Sequence, residues 1–262
     1  MPATQALPPP RAIFAVDTEK FTRNPSAWQP QLRDAITELL SSAFARCGLA
    51  ELWEARRFPQ GTGDGYVFGV PDELAPFLLD PLLDQLQAVL EEHDRRLRSQ
   101  DRSLRLRLRV AIHVGSVPDS GERRESTGTP VNDTFRLLDS ESIRQELSNS
   151  NPDITLLAAI VSQRLFEDVV RAGYTPGLPP DRFQHVIAEV AGKEFVQPAW
   201  IYVPKPSRSS ALAPQAAAQQ SSAAAAAGEG EASGGTTIHG SVGRAITGGN
   251  FSGTITMGNS RS

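Results

Sequence analysis

Cysteine is almost missing from this 262-residue chain, Cys47 being the only one. That excludes an intrachain disulfide framework and any cysteine-cluster zinc site. Cys47 lies in a helical pattern and reads as a small buried residue rather than a nucleophile. The four histidines, His93, His113, His185 and His239, show no metal-ligand spacing and no paired nucleophile, so structural or surface roles are expected. No run approaches the ~18 continuous apolar residues of a membrane span. Excess positive charge is also lacking: the formal net charge is −4, without the basic signature of a nucleic-acid binder. G-x-S-x-G, Walker and H-E-x-x-H patterns do not occur. The opening "MPATQALPPPR" has no charged-then-apolar secretory pattern, and a cytoplasmic location is the expectation.

What is present is ordinary globular material, 39% hydrophobic and 21% charged, distributed unevenly. Core-building residues lie between Arg11 and Val203, enough for one domain over 11–204 behind a disordered stretch at 1–10. From 205 to 233 the composition is Ala-, Ser- and Gln-rich and reads as a linker. Within the domain, "AIFAVD" (12–17) is a short buried strand ending on an acid. Leu32, Ile36, Leu39, Leu40 and Phe44 are spaced for one helical face over 29–47. "LWEARRF" and "YVFGV" flank a Gly-rich turn as a hairpin. A long amphipathic helix is expected over 74–97, started or kinked by Pro81. "LRLRLRVAIHVG" alternates strictly, with Leu104 to Val114 on one face and Arg105, Arg107 and Arg109 on the other, solvated or salt-bridged. Helices over 131–147 and 162–172, a strand at "ITLLAAIV" and a closing antiparallel pair complete the pattern. The fold class is α+β, a mostly antiparallel sheet with helices packed on one side.

Two acids stand out. Asp17 ends the first strand, and Asp64 sits in the hairpin turn "QGTGDGYVFG". If their strands are neighbours, the two carboxylates meet at one sheet edge, as pairs that hold Mg²⁺ or Mn²⁺ against phosphates do. A solvated strand end and a plain turn would look the same. In "GTPVNDTFRLLD", Asn132 and Arg136 stand at i and i+4 on one helix face. A guanidinium there suits a phosphoryl group and an amide suits a ribose oxygen, although such a pair is usually a solvated face.

Taken together, "FAVDTEKFT", "GTGDGYVFG", "LRVAIHVGSV" and "GTPVNDTFRLL" resemble, in this order and spacing, the catalytic domain of class III nucleotidyl cyclases, the adenylate and guanylate cyclases. The resemblance covers about residues 11–204. It implies a ferredoxin-like sheet core and a head-to-tail homodimer acting on a nucleoside triphosphate. Asp17 and Asp64 match the metal-binding aspartates, and Thr18 the residue whose carbonyl helps hold one of two Mg²⁺ or Mn²⁺ ions. Asn132 matches the ribose-orienting asparagine and Arg136 the arginine that stabilises α-phosphate charge. Lys193, in "AGKEF", falls where a triphosphate-binding lysine often stands. One subunit would supply the aspartates and its partner Asn132 and Arg136. Base selection departs from the family: Gln60 replaces the usual Lys or Glu, and the second selector falls near Glu125. Glutamine both donates and accepts, so the base stays open. So does the choice between an active cyclase and a catalytically inactive nucleotide-binding or dimerisation module.

The stretch 234–262 differs from the linker: β-branched residues, Asn and Gly with almost no charge. Flexible termini are common, yet this is also the composition of stacked in-register strands. It resembles the amyloid-like signalling motifs at the C-termini of bacterial effectors, which implies clustering and an NLR-like ATPase sensor as partner.

Overall fold

Residues buried on both sides have no polar alternation, and "AIFAVD" is such a segment. In the computed structural model, which describes residues 6–118 and 128–207, it lies within β1 (Pro10–Thr18) at the heart of a sheet. Helices α1 (Gln29–Arg46) and α2 (Ala50–Glu54) follow, then the hairpin β2 (Arg57–Gly61) and β3 (Gly65–Pro71). Next come α3 (Ala75–Leu79), α4 (Leu82–Gln100), β4 (Leu108–Ser116), α5 (Thr129–Asp139), α6 (Glu141–Asn149) and β5 (Leu157–Ser162). A single turn, α7 (Gln163–Leu165), runs into a π-turn at Phe166–Arg171 before β6 (Phe183–Glu189) and β7 (Val196–Tyr202). The seven strands form one sheet in the order β2-β3-β1-β4-β5-β7-β6. Strands β4 and β5 are parallel and the other neighbours antiparallel, so the α+β class holds.

Helices cover both faces of the sheet rather than one. Ala12, Phe14 and Val16 share a core with α1, α3 and α4, while Ile13 and Ala15 pack with Val131, Leu137, Ile143 and Leu147 of α5 and α6. Several expected elements are also shorter or broken. Leu52–Glu54 belong to α2, not to a strand, because Trp53 turns inward against Phe44 and Phe68. The helix expected over 74–97 divides at Asp80–Pro81, where proline has no N–H to continue the ladder. That over 131–147 divides at Ser140, whose extended backbone ends α5 and opens α6. Leu104 and Leu106 are buried as their alternation demands, but β4 begins only at Leu108.

Among the described residues no helix is long and apolar enough to cross a membrane. Glu125 and most of the 205–233 and all of the 234–262 stretches lie outside the described residues. Lys205 and Ser207 still bond to the body, the Lys205 ammonium to Glu91 at 3.0 Å and the Ser207 hydroxyl with that of Thr155 at 2.7 Å.

Phe68 is fully buried, stacked on Phe14 at 5.1 Å and edge-on to Phe44 and Trp53. Phe68→Ala is therefore expected to cost about 3–5 kcal/mol, read as a lower urea midpoint at unchanged m-value.

Candidate active site

Register decides where the two acids go. In the antiparallel pairing of β1 with β3, Asp17 lies opposite Gly65, so Asp64 stands at the same end of the sheet. The Thr18 N–H donates to the Asp64 carbonyl at 2.9 Å and fixes the turn against β1. This closeness depends on Gly65: a Cβ there would sit 2.1 Å from the Val16 carbonyl oxygen. The glycine beside the acid thus permits the approach of one backbone to another.

On its other side β1 pairs with β4, and the residue opposite Asp17 is Arg109. Its Nε and Nη2 donate to both carboxylate oxygens, at 2.8 and 2.6 Å. Both side chains are largely buried. Arg107, one step along the same face, is only 5% exposed and has three acceptors: Glu19 at 2.6 Å, the Thr155 carbonyl and the Leu147 carbonyl. Arg105 pairs with Asp153 at 2.7 Å. The arginine face of "LRLRLR" is therefore salt-bridged.

Burial is the largest influence on Asp17. It raises the carboxyl from 3.8 to about 6 against the opposing pull of Arg109, with the Asp64 and Asp139 charges adding to the rise. A cavity of about 390 Å³ opens here, lined by Thr18, Asp64, Arg109, Lys20, Glu141 and Arg144 among others. The donors fit Mg²⁺ or Mn²⁺: two carboxylates and a backbone carbonyl are hard oxygens, and such ions take one or two carboxylates with water and phosphate completing the shell. The Thr18 hydroxyl, buried in this wall, has no partner among the described residues. No group of three or more His, Cys, Asp or Glu side chains suited to holding a metal occurs among the described residues.

Asn132 and Arg136 project from α5, the first exposed and the second half-buried. The Arg136 guanidinium donates to Asp133 at 2.9 Å and lies over the Phe195 ring at 5.7 Å. Lys193 is exposed and reaches Asp139, at the end of α5, at 3.6 Å. Among the described residues no hydrogen bond or ion pair joins Asn132 or Arg136 to Asp17 or Asp64: Arg136 pairs with Asp133 and Asp17 with Arg109. Gln60 lies exposed on β2 opposite Val67. Arg109 is the site residue that the linear pattern misses. Alternation puts it on the correct face, but only the β1–β4 register puts it on Asp17.

No protein-family model matches the chain and no curated relative does. Solved structures match in fold. A bacterial light-regulated adenylyl cyclase aligns at TM-score 0.53 and 13% identity, over 79% of this chain and 56% of that one. The chain thus spans little more than half of that structure. A Trypanosoma brucei adenylate cyclase gives 0.47 at 14% identity, over 79% of this chain and 95% of the other. The guanylyl cyclase domain of a fusion protein from the fungus Blastocladiella emersonii gives 0.42 at 13%, over 78% and 98%. The chain has the fold of a class III nucleotidyl cyclase domain.

The raised carboxyl has a stability signature. Folded Asp17 holds its proton more tightly than an unfolded aspartate, so its contribution is fully present below 3.8 and is lost as pH rises through about 6. Asp17→Asn removes that slope. Urea titrations at pH 4 and pH 7 are expected to show the variant gaining on the wild type by on the order of 3 kcal/mol.

Proposed function

We propose that this chain, built on the cyclase fold, is a nucleotidyl cyclase that converts a nucleoside triphosphate to a 3′,5′-cyclic nucleotide and pyrophosphate. The observation that carries this reading is the meeting of Asp17 and Asp64 at one end of β1 and β3, beside a cavity lined by Asp64 and by Arg109, the buried partner of Asp17. Asp17, Asp64 and the Thr18 carbonyl would hold two Mg²⁺ or Mn²⁺ ions. Bound there, the ions would acidify the 3′-hydroxyl and neutralise phosphate charge.

In the reaction the ribose 3′ oxygen bonds to the α-phosphorus, the bond from that phosphorus to the bridging oxygen breaks, and pyrophosphate leaves. The hydroxyl proton passes to solvent. Arg136 supplies positive charge as the α-phosphoryl group becomes more anionic, an interaction strongest in the transition state. The Phe195 ring and Asp133 hold that guanidinium in place. Asn132 orients the ribose, Lys193 meets the triphosphate and Gln60 faces the base. The exposure of Asn132, which has no contact with either aspartate among the described residues, supports a site shared between two copies of the chain. Such a site responds to local concentration. The β-prone composition of 234–259 supports clustering of that kind, with an NLR-like ATPase sensor as the templating partner.

One observation favours the second reading, a non-catalytic nucleotide-binding or dimerisation module: Arg109 occupies both oxygens of Asp17. Incubation of the full chain with each of the four nucleoside triphosphates and Mn²⁺ or Mg²⁺ decides between them. A cyclic product is expected with at least one. Asp17→Ala and Arg136→Ala are each expected to lower the rate by about 10²–10³-fold, and mixing the two variants should restore part of it. Absence of product under every condition, including forced clustering of the chain, would leave the non-catalytic module.

A further inference from the structure

A second cavity of about 390 Å³ adjoins the first, sharing Glu19, Lys20 and Ser148 in its wall. Four cations line it, Lys20, Arg23, Arg105 and Arg107, with Glu19 the one acid among the lining residues. Glu19 is already divided between two of them, at 2.6 Å from Arg107 and 2.8 Å from Lys20. Arg105 is matched by Asp153 at 2.7 Å and approached by Asp94 at 3.8 Å, neither of which lines the cleft. Arg23 is exposed and has no side-chain partner among the described residues. The cleft is short of negative charge.

Its frame is fixed in advance. Lys20 sits at φ 51°, ψ 39°, a left-handed conformation that a non-glycine residue holds only when its surroundings enforce it. The Arg23 N–H donates to the Lys20 carbonyl at 2.9 Å, closing one turn that carries both cations. Asn24, 6% exposed, anchors that turn: its amide donates to the Phe21 carbonyl and its oxygen accepts the Arg105 N–H, each at 3.1 Å. Lys20 and Arg23 on the turn thus face Arg105 and Arg107 on the approach to β4. Cations on two elements suit an anion with two charged centres, and charge-assisted hydrogen bonds are the strong ones. No aromatic side chain lines the cleft, so it offers no stacking platform for a base.

We propose that this cleft binds a diphosphate group, either free pyrophosphate or the diphosphate of a nucleotide, at a site separate from the cavity lined by Asp64 and Arg109. The inference stands whether or not that neighbouring cavity is catalytic. Isothermal titration of the full chain with inorganic pyrophosphate, without divalent metal, is expected to give saturable binding. Arg23→Glu should weaken it by at least about tenfold, and Arg23→Gln, which keeps the size and removes the charge, should weaken it in the same direction. Arg144 lines the neighbouring cavity and not this cleft, so Arg144→Glu should leave the affinity unchanged. ADP in place of pyrophosphate identifies the source: the same dependence on Arg23 supports a nucleotide's diphosphate, and its loss with ADP supports free pyrophosphate. Absence of saturable pyrophosphate binding, insensitivity to both Arg23 variants, or an Arg144→Glu loss as large as that of Arg23→Glu would overturn the assignment.

Discussion

The pairing of β1 between β3 and β4 is the constraint on which the rest of the site depends. It sets Asp17 opposite Gly65 on one side and Arg109 on the other, and a one-residue slip would turn the carboxylate to the opposite face of the sheet. Such a slip is costly because both faces of β1 are buried against helices. The core that stabilises the fold is therefore the same device that aims the acid. Gly65 completes it, since any larger residue would push the turn bearing Asp64 away from the Val16 carbonyl.

Charge is arranged with similar economy. Successive residues on one face, Arg105, Arg107 and Arg109, each find an acid on a different part of the chain: Asp153, Glu19 and Asp17. The Arg107–Glu19 and Arg109–Asp17 pairs are buried and contribute little net stability, because desolvation consumes most of the Coulomb attraction. Their effect is specificity of position. The pull of Arg109 is insufficient to bring Asp17 back to an ordinary aspartate, and burial leaves it near 6.

Much of this was legible in the linear pattern. The strand at "AIFAVD", the hairpin around Asp64 and the helix bearing Asn132 and Arg136 all follow from periodicity and turn chemistry. So does the meeting of Asp17 and Asp64, conditional on neighbouring strands. What the pattern hid was long-range. The inward turn of Trp53 converted a strand-like segment into α2, because burial against Phe44 and Phe68 outweighed β propensity. The break at Ser140 hid inside one continuous apolar periodicity. Arg109 looked like its neighbours Arg105 and Arg107 until pairing with β1 distinguished it. Helices on both faces were foreshadowed by unbroken apolar runs in β1 and β5, a signal that alternation elsewhere obscured.

Strand β2 is an edge, held by a single neighbour, and its ladder is interrupted between Arg57 and Gln60. There Phe58, at φ 38°, sends its ring onto β3 where Gly69 has no side chain; a Cβ at Gly69 would lie 2.2 Å from the ring. Ring and gap are two halves of one joint. Any side chain at 69 would push the Phe58 ring off β3, and with it the edge strand that displays Gln60.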